Sequence, residues 1–139
     1  MTEPGDCIFC RIVRGEMPCF KVCEDDRTLT FLDLFPVAAG HTLVITKEHF
    51  SDIFEVNGEV LSAVATASLR VAHAIRKALD PDGLGVFQLN RAAAGQTVFH
   101  YHMHLLPRNT GESFALHSRI RGDDDALRST AERIAAALD

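Results

Sequence analysis

The sequence predicts an α+β fold in which an antiparallel sheet is crossed by one long helix and followed by a C-terminal helix. Three stretches carry that prediction. "FHYHMHLLPR", residues 99–108, has a histidine at every second position. Successive side chains of a strand point to opposite faces, so His100, His102 and His104 share one face and Tyr101, Met103 and Leu105 the other. "HTLVITK", residues 41–47, is a short apolar, β-branched run of the kind that fills a buried strand. Between the two, Val60, Val64, Ser68, Val71, Ile75 and Leu79 recur at steps of three or four, the spacing of one face of an amphipathic helix running from about Asn57 to Leu79. Strands separated by a single long helix, and otherwise joined by hairpins, point to an antiparallel sheet.

The remaining elements follow in chain order. In "CIFCRIVRGEMP" the residues Ile8, Phe9, Ile12 and Val13 fall at helical spacing before the breakers Gly15 and Pro18, which predicts one or two turns of helix. "FKVCEDD" and "RTLTFLDL" read as a hairpin around an acidic turn at residues 24–27, and "FPVAAG" as the loop that leaves it. Ser51 offers a cap from which the chain turns helical, and "DPDG" stops the long helix. "LGVFQLN" is the next strand and "RAAAGQT" the loop leading into the histidine strand. "RNTGESFALHSRIRG" has no period and is left without an assigned element. "DDDALRSTAERIAAALD" opens with acidic residues suited to a helix N-terminus and marks its apolar side with Leu127, Ile134 and Leu138.

A length of 139 residues predicts one domain, able to bury its core without disulfides. No tract is long or apolar enough to span a bilayer, and the N-terminus lacks a basic segment followed by an apolar run. A cytoplasmic protein that does not engage a membrane is expected. A formal net charge of −5 argues against a nucleic acid polymer as partner, since such binding needs a basic footprint. A small anionic ligand held by local donors remains compatible with it.

The chemistry concentrates on the histidine face. Three imidazoles about 7 Å apart along a strand suit metal binding, proton transfer or nucleophilic attack. Just before them, the turn "AGQTV" can aim backbone N–H groups into one concavity, with Gly95 giving a ligand access and Gln96 and Thr97 adding donors. That places an anion site beside a nucleophile. Asp33 is read either as a ligand carboxylate or as a strand-end turn residue, His41 either as a site residue or as a buried histidine, and Asn90 either as a donor or as a turn former. His73, on the exposed side of the long helix, and His117 receive no function.

All four cysteines, Cys7, Cys10, Cys19 and Cys23, lie in the first 23 residues. Without a secretion signal such clustering reads as metal binding or plain thiol. Cys7 and Cys10 form half of a tetrahedral zinc site, which either Cys19 and Cys23 or two histidines complete.

"NRAAAGQTVFHYHMHLLPR" resembles the signature of the histidine triad (HIT) superfamily of nucleotide hydrolases and transferases, whose pattern is His-x-His-x-His followed by apolar residues. The resemblance continues through "CIFCRIVRGEMP", "EDDRTLTFLDLFP" and "GHTLVITKEH" and covers residues 7–108. It implies a HIT-like fold with a core over 7–108, and makes 109–139 a C-terminal extension carrying a helix. It implies cleavage at the α-phosphate of a nucleoside monophosphate conjugate or a dinucleoside polyphosphate, with His102 attacking to form a nucleotidyl-histidine and His104 donating to the phosphate. The backbone carbonyl of His100 would orient the nucleophile. Asp33 would take the ribose hydroxyls, and His41, Asn90, Gly95, Gln96 and Thr97 would line the nucleotide pocket. It further implies a structural zinc on Cys7, Cys10, His49 and His100, and a homodimer. Two other readings of the triad stand beside this one: a catalytic zinc held by three histidines, and a nucleotide-binding adaptor without turnover. In the loop 90–95 the sequence is one residue shorter than animal members of the family, and Arg91 stands where a small or acidic residue is usual.

Overall fold

The computed structural model describes residues 6–113 and 115–139. The first helix, α1, covers Ile8–Val13, with Cys7 as its N-cap. The acidic hairpin follows: β1 (Lys21–Glu24) and β2 (Thr28–Leu32) pair antiparallel. Asp25 closes their turn by accepting the N–H groups of Arg27 and Thr28 at 2.9 and 2.8 Å, and the Thr28 hydroxyl at 2.9 Å. The β-branched run forms β3 (Thr42–Thr46).

The long helix α2 spans Gly58–Leu79, and the cap is Asn57, whose Oδ1 accepts the N–H of Val60 at 2.9 Å. Residues 51–56 are not helical. Asp52 instead closes a turn there, its Oδ1 accepting the N–H of Phe54 and its carbonyl that of Glu55, local bonds that compete with helix formation. Then come β4 (Gly83–Phe87), a 3-10 turn at Ala92–Ala94, β5 (His102–Arg108) and α3 (Asp124–Ala136), which Asp123 caps.

The sheet is antiparallel throughout, in the order β1-β2-β3-β5-β4. Every residue of β2 and β3 is buried, so both faces are covered. On one face Val44, Tyr101 and Leu105 meet Val64, Val71 and Ile75 of α2 and Leu127 and Ile134 of α3. On the other, Leu29, Phe31, Leu43 and Ile45 meet Phe9, Cys10 and Ile12 of α1. The strand alternation thus sorts two cores, and the imidazoles fall on the α1 side.

The ladder of the histidine strand begins later than its pattern suggests. Residues 98–100 bend, and the Tyr101 N–H goes to the Phe50 carbonyl at 2.7 Å. The departure carries His100 off the sheet toward the cysteine pair. β4 likewise ends at Phe87, because the Gln88 and Asn90 side-chain amides pair with each other at 2.7 Å.

Gly40 has φ +87°, and a Cβ there would overlap Leu79 Cδ1 and come within 3.1 Å of Pro107 Cγ. Left-handed backbone and the clash act together, so Gly40→Ala is expected to cost about 2–3 kcal/mol. A shifted urea midpoint with an unchanged slope would register it.

Candidate active site and metal centre

His102 sits near the start of β5, 6% exposed, with Phe9 edge-on at 5.1 Å between ring centroids. Its Nδ1 lies 2.6 Å from the His100 carbonyl oxygen. A carbonyl only accepts, so Nδ1 carries the proton and Nε2 presents a bare lone pair. Burial holds this imidazole neutral, with its pKa lowered to about 4. A neutral ring with a free, aimed nitrogen is what nucleophilic attack requires.

His104 is fixed from the opposite direction. The Val37 N–H donates to His41 Nδ1 at 3.1 Å, so the His41 proton resides on Nε2. That nitrogen faces His104 Nδ1 at 3.0 Å, which leaves the His104 proton on its own Nε2. Phe87 stacks on the His104 ring at 4.5 Å and 9°. A backbone N–H that cannot change its protonation therefore sets two tautomers in series, and His104 emerges as a donor. Burial, reinforced by neighbouring imidazoles, lowers the His41 pKa to about 4 and that of His104 to about 2.

These two neutral rings tie stability to pH. Unfolded, they take up protons near the ordinary value of 6.5; folded, they resist until about 4 or below. Their contribution is complete above pH 6.5, is lost progressively as pH falls below that value, and stops falling only below the folded pKa values of about 4 and about 2. Urea midpoints at pH 7.5 and 5.0 should therefore differ, the lower pH being the less stable, and His41→Gln should narrow the difference.

His102 and His104 open onto a cavity of about 560 Å³. Part of its lining is apolar, from Ile8, Phe9, Ile12, Phe31 and Leu43, and part polar, from Asp33, Thr97, the two histidines, His117 and Arg119. The Asp33 Oδ1 accepts the Phe35 N–H at 2.9 Å, while burial raises the carboxyl's pKa. A larger groove of about 700 Å³ between the β1–β2 turn and α2 is lined by Asp25, Asp26, Arg27 and Glu59, with no imidazole or thiol.

Behind the triad, ligand atoms of Cys7, Cys10, His49 and His100 all lie within 4.8 Å of one another. Cys7 Sγ is 3.3 Å and Cys10 Sγ 3.6 Å from His100 Nδ1, and Cys10 Sγ is 3.2 Å from His49 Nδ1. Tetrahedral zinc, with Zn–S about 2.3 Å and Zn–N about 2.0 Å, sets sulfur and nitrogen ligands about 3.5 Å apart, so the donors fit. The supporting bonds fit as well. His100 Nε2 donates to the Thr46 carbonyl at 2.6 Å, which frees Nδ1 as a ligand. The Cys10 N–H points at Cys7 Sγ from 3.4 Å. The His49 ring packs edge-on against His100 at 5.1 Å, and its Nε2 is buried without a hydrogen-bond partner among the described residues. Burial, with Cys7 adding to it, raises the Cys10 thiol to about 11, and a divalent cation is what relieves such a pair.

The other candidates divide. Thr97 and Asp33 reach the cavity, and His41 stands one residue back, behind His104. Gln96 turns inward: its Oε1 accepts the Arg91 N–H at 2.5 Å, and its Nε2 donates to the Ser51 and Val98 carbonyls at 2.6 and 3.1 Å. Asn90 Oδ1 accepts the Ile53 N–H at 2.7 Å. Neither of these side chains is among those lining the cavity. Gly95, at φ +103°, supplies the turn. Cys19 and Cys23 are half-buried and stand apart from the metal-type cluster.

Comparison with known proteins places this geometry. The HIT domain model matches residues 14–111. The chain belongs to the HIT family. Adenylylsulfatase HINT3 of Arabidopsis thaliana is 40% identical over 137 residues, covering 99% of this chain and 70% of that protein. Adenosine 5′-monophosphoramidase hnt1 of Schizosaccharomyces pombe is 39% identical over 106 residues, covering 76% and 77%. A zinc-bound histidine triad family protein from Mycobacterium smegmatis superposes with a TM-score of 0.86 at 36% identity, covering 98% of this chain and 95% of that one. A Hit-like protein from Bartonella henselae gives a TM-score of 0.92 at 37% identity over 99% of this chain and all of that one. The five-stranded antiparallel sheet with its crossing helix is the HIT fold.

The cavity also takes polar residues from the segment after β5, His117, Ser118 and Arg119. His117 stands 6.3 Å from His104 between ring centroids and shares the HIT cavity with it. It lies in a segment without periodicity, thirteen residues beyond the triad, so nothing in the sequence relates it to the strand; only the path of the chain does.

Proposed function

We propose that this HIT protein is a nucleotide hydrolase or transferase that cleaves at the α-phosphate of a nucleoside monophosphate conjugate or dinucleoside polyphosphate through a nucleotidyl-His102 intermediate. The observation that carries the reading is the His102 ring, neutral, with Nδ1–H on the His100 carbonyl and a bare Nε2 at the cavity. Two relatives whose names specify an adenylylsulfatase and an adenosine 5′-monophosphoramidase support it, since a sulfate and an amine on AMP are both displaced at the α-phosphorus.

Nε2 of His102 attacks phosphorus, and the nucleotidyl group passes to nitrogen as the leaving group departs; water then reverses the bond. His104 Nε2–H donates to the phosphate oxygens, with Thr97 and the Gly95 turn beside it. Asp33 accepts from the ribose hydroxyls, and Phe9, Ile12, Phe31 and Leu43 offer the base an apolar slot. His41 acts through His104. Gln96 and Asn90, which began as pocket candidates, serve by pinning the loop 90–98.

Cys7, Cys10, His49 and His100 would hold a zinc, and four protein donors of this kind suit a structural role. A catalytic zinc on three histidines lacks support: neither group of converging ligand atoms among the described residues includes His102. The molecule works in the cytoplasm as one domain and as a homodimer. Its twofold contact would use the exposed side of α2, with Leu61 and Leu69, beside the edge strand β4 with Val86. Light scattering measures that mass.

Incubation with adenosine 5′-phosphoramidate and with diadenosine polyphosphates, followed by chromatography of released AMP and mass analysis of the acid-quenched protein, tests the reading. Release of AMP with a mass increment on His102 supports it. Nucleotide binding with neither product nor adduct would favour a non-catalytic adaptor.

A further inference from the structure

We infer that His117 is the proton donor to the leaving group, an assignment that rests on the hydrolase reading above. Expelling an amine from phosphorus requires a proton at its nitrogen, and the three inner imidazoles have none to lend. The proton of His102 is on Nδ1, committed to the His100 carbonyl. His41 uses its proton on His104, and His104 accepts at Nδ1, so its remaining N–H is a fixed donor on a ring that burial keeps neutral. Neither ring holds an ionisable proton near neutrality.

His117 is placed differently. It is exposed, it makes no hydrogen bond among the described residues, and it lines the same cavity as His102 and His104. Its Nε2 lies 3.6 Å from where a Cβ on Gly95 would stand. The ring therefore lies beside the Gly95 turn and faces the cavity from the side of the 115–120 segment instead of from the sheet. At Gly95, φ +103° favours glycine, and a Cβ there would press on Leu89 Cδ1 at 3.3 Å while only touching His117. Imidazole is also the side chain suited to giving a proton and regaining it near neutral pH.

The proton balance closes over both half-reactions. As the His102 Nε2–P bond forms, the P–N bond to the leaving amine breaks, its electron pair stays on that nitrogen, and the proton on His117 joins it. Imidazolium becomes imidazole and a neutral amine leaves. In the second half-reaction water attacks phosphorus, its proton passes to His117, and the P–N bond to His102 breaks with its pair returning to Nε2. AMP departs, and both histidines are restored.

A leaving group that needs no proton separates this role from a structural one. His117→Asn and His117→Ala are to be assayed on adenosine 5′-phosphoramidate and on the 4-nitrophenyl ester of AMP, whose phenolate leaves as the anion, with AMP affinity measured by calorimetry. The expected result is a loss of about a hundredfold in kcat/KM on the phosphoramidate and of no more than a few-fold on the ester, with added imidazole partly restoring His117→Ala on the phosphoramidate alone. Equal losses on the two substrates, or none on either, overturn the assignment while leaving the hydrolase reading intact. A wild-type protein inert on both overturns the hydrolase reading and this assignment with it.

Discussion

His102→Ala is expected to leave a folded, metal-bound protein whose turnover of adenosine 5′-phosphoramidate falls at least about 10⁴-fold, because no other side chain offers the same geometry for covalent catalysis. The buried imidazoles beside it are otherwise engaged: His104 Nδ1 accepts from His41, His41 Nδ1 accepts from Val37, and His100 Nδ1 faces the cysteines; His117 reaches the cavity from the 115–120 segment and not from the sheet. The fold should persist because the ring meets the cavity on one side and leaves the packing of Tyr101 and Leu105 on the opposite face intact. His102→Asn is the sharper variant, since its side-chain amide still supplies an N–H for the His100 carbonyl while lacking a nucleophilic nitrogen. It should be as inactive as alanine. Atomic absorption on either variant should find the same metal content as wild type. A loss of metal together with activity would revive the three-histidine centre.

Removing the metal should act on stability first. Chelation at neutral pH, or Cys7→Ser, is expected to lower the melting temperature by about 10 °C or more, a change of a few kcal/mol for a chain of this size. Cys7 is 1% and His100 0% exposed, and Cys10 is buried beside them. Without a cation these donors remain packed together with only hydrogen bonds between them. The site also joins three distant parts of the chain: Cys7 and Cys10 at α1, His49 after β3, and His100 before β5. Freeing it releases the lid that α1 forms over Phe31 and Leu43. Cys19→Ser and Cys23→Ser, outside the cluster, should not reproduce the loss.

Elements with a strong period were legible in the sequence. The α2 stripe from Val60 to Ile75 and the apolar run of β3 report burial directly, and the alternation in β5 reports which residues share a face, because each pattern is the geometry of its own backbone. The hairpin was legible from its acidic turn. Side chains whose placement depends on local hydrogen bonds were not. Gln96 sits in a motif that reads as a phosphate donor, yet its amide is consumed by Arg91, Ser51 and Val98, three partners that come together only after folding. Ser51 looked like a helix cap, but Asp52 captured the neighbouring N–H groups. His117 was invisible for the opposite reason: it belongs to no pattern, and its relation to His104 exists only because the chain after β5 folds back over the cavity.

His100 contributes twice, its ring to the thiols and its main-chain oxygen to the His102 imidazole, the proposed nucleophile. Metallation and aim therefore meet in one amino acid. Slack among the sulfurs should reach the nucleophile through a single residue, so starvation for the ion would blunt the enzyme's chemistry while its polypeptide remained abundant.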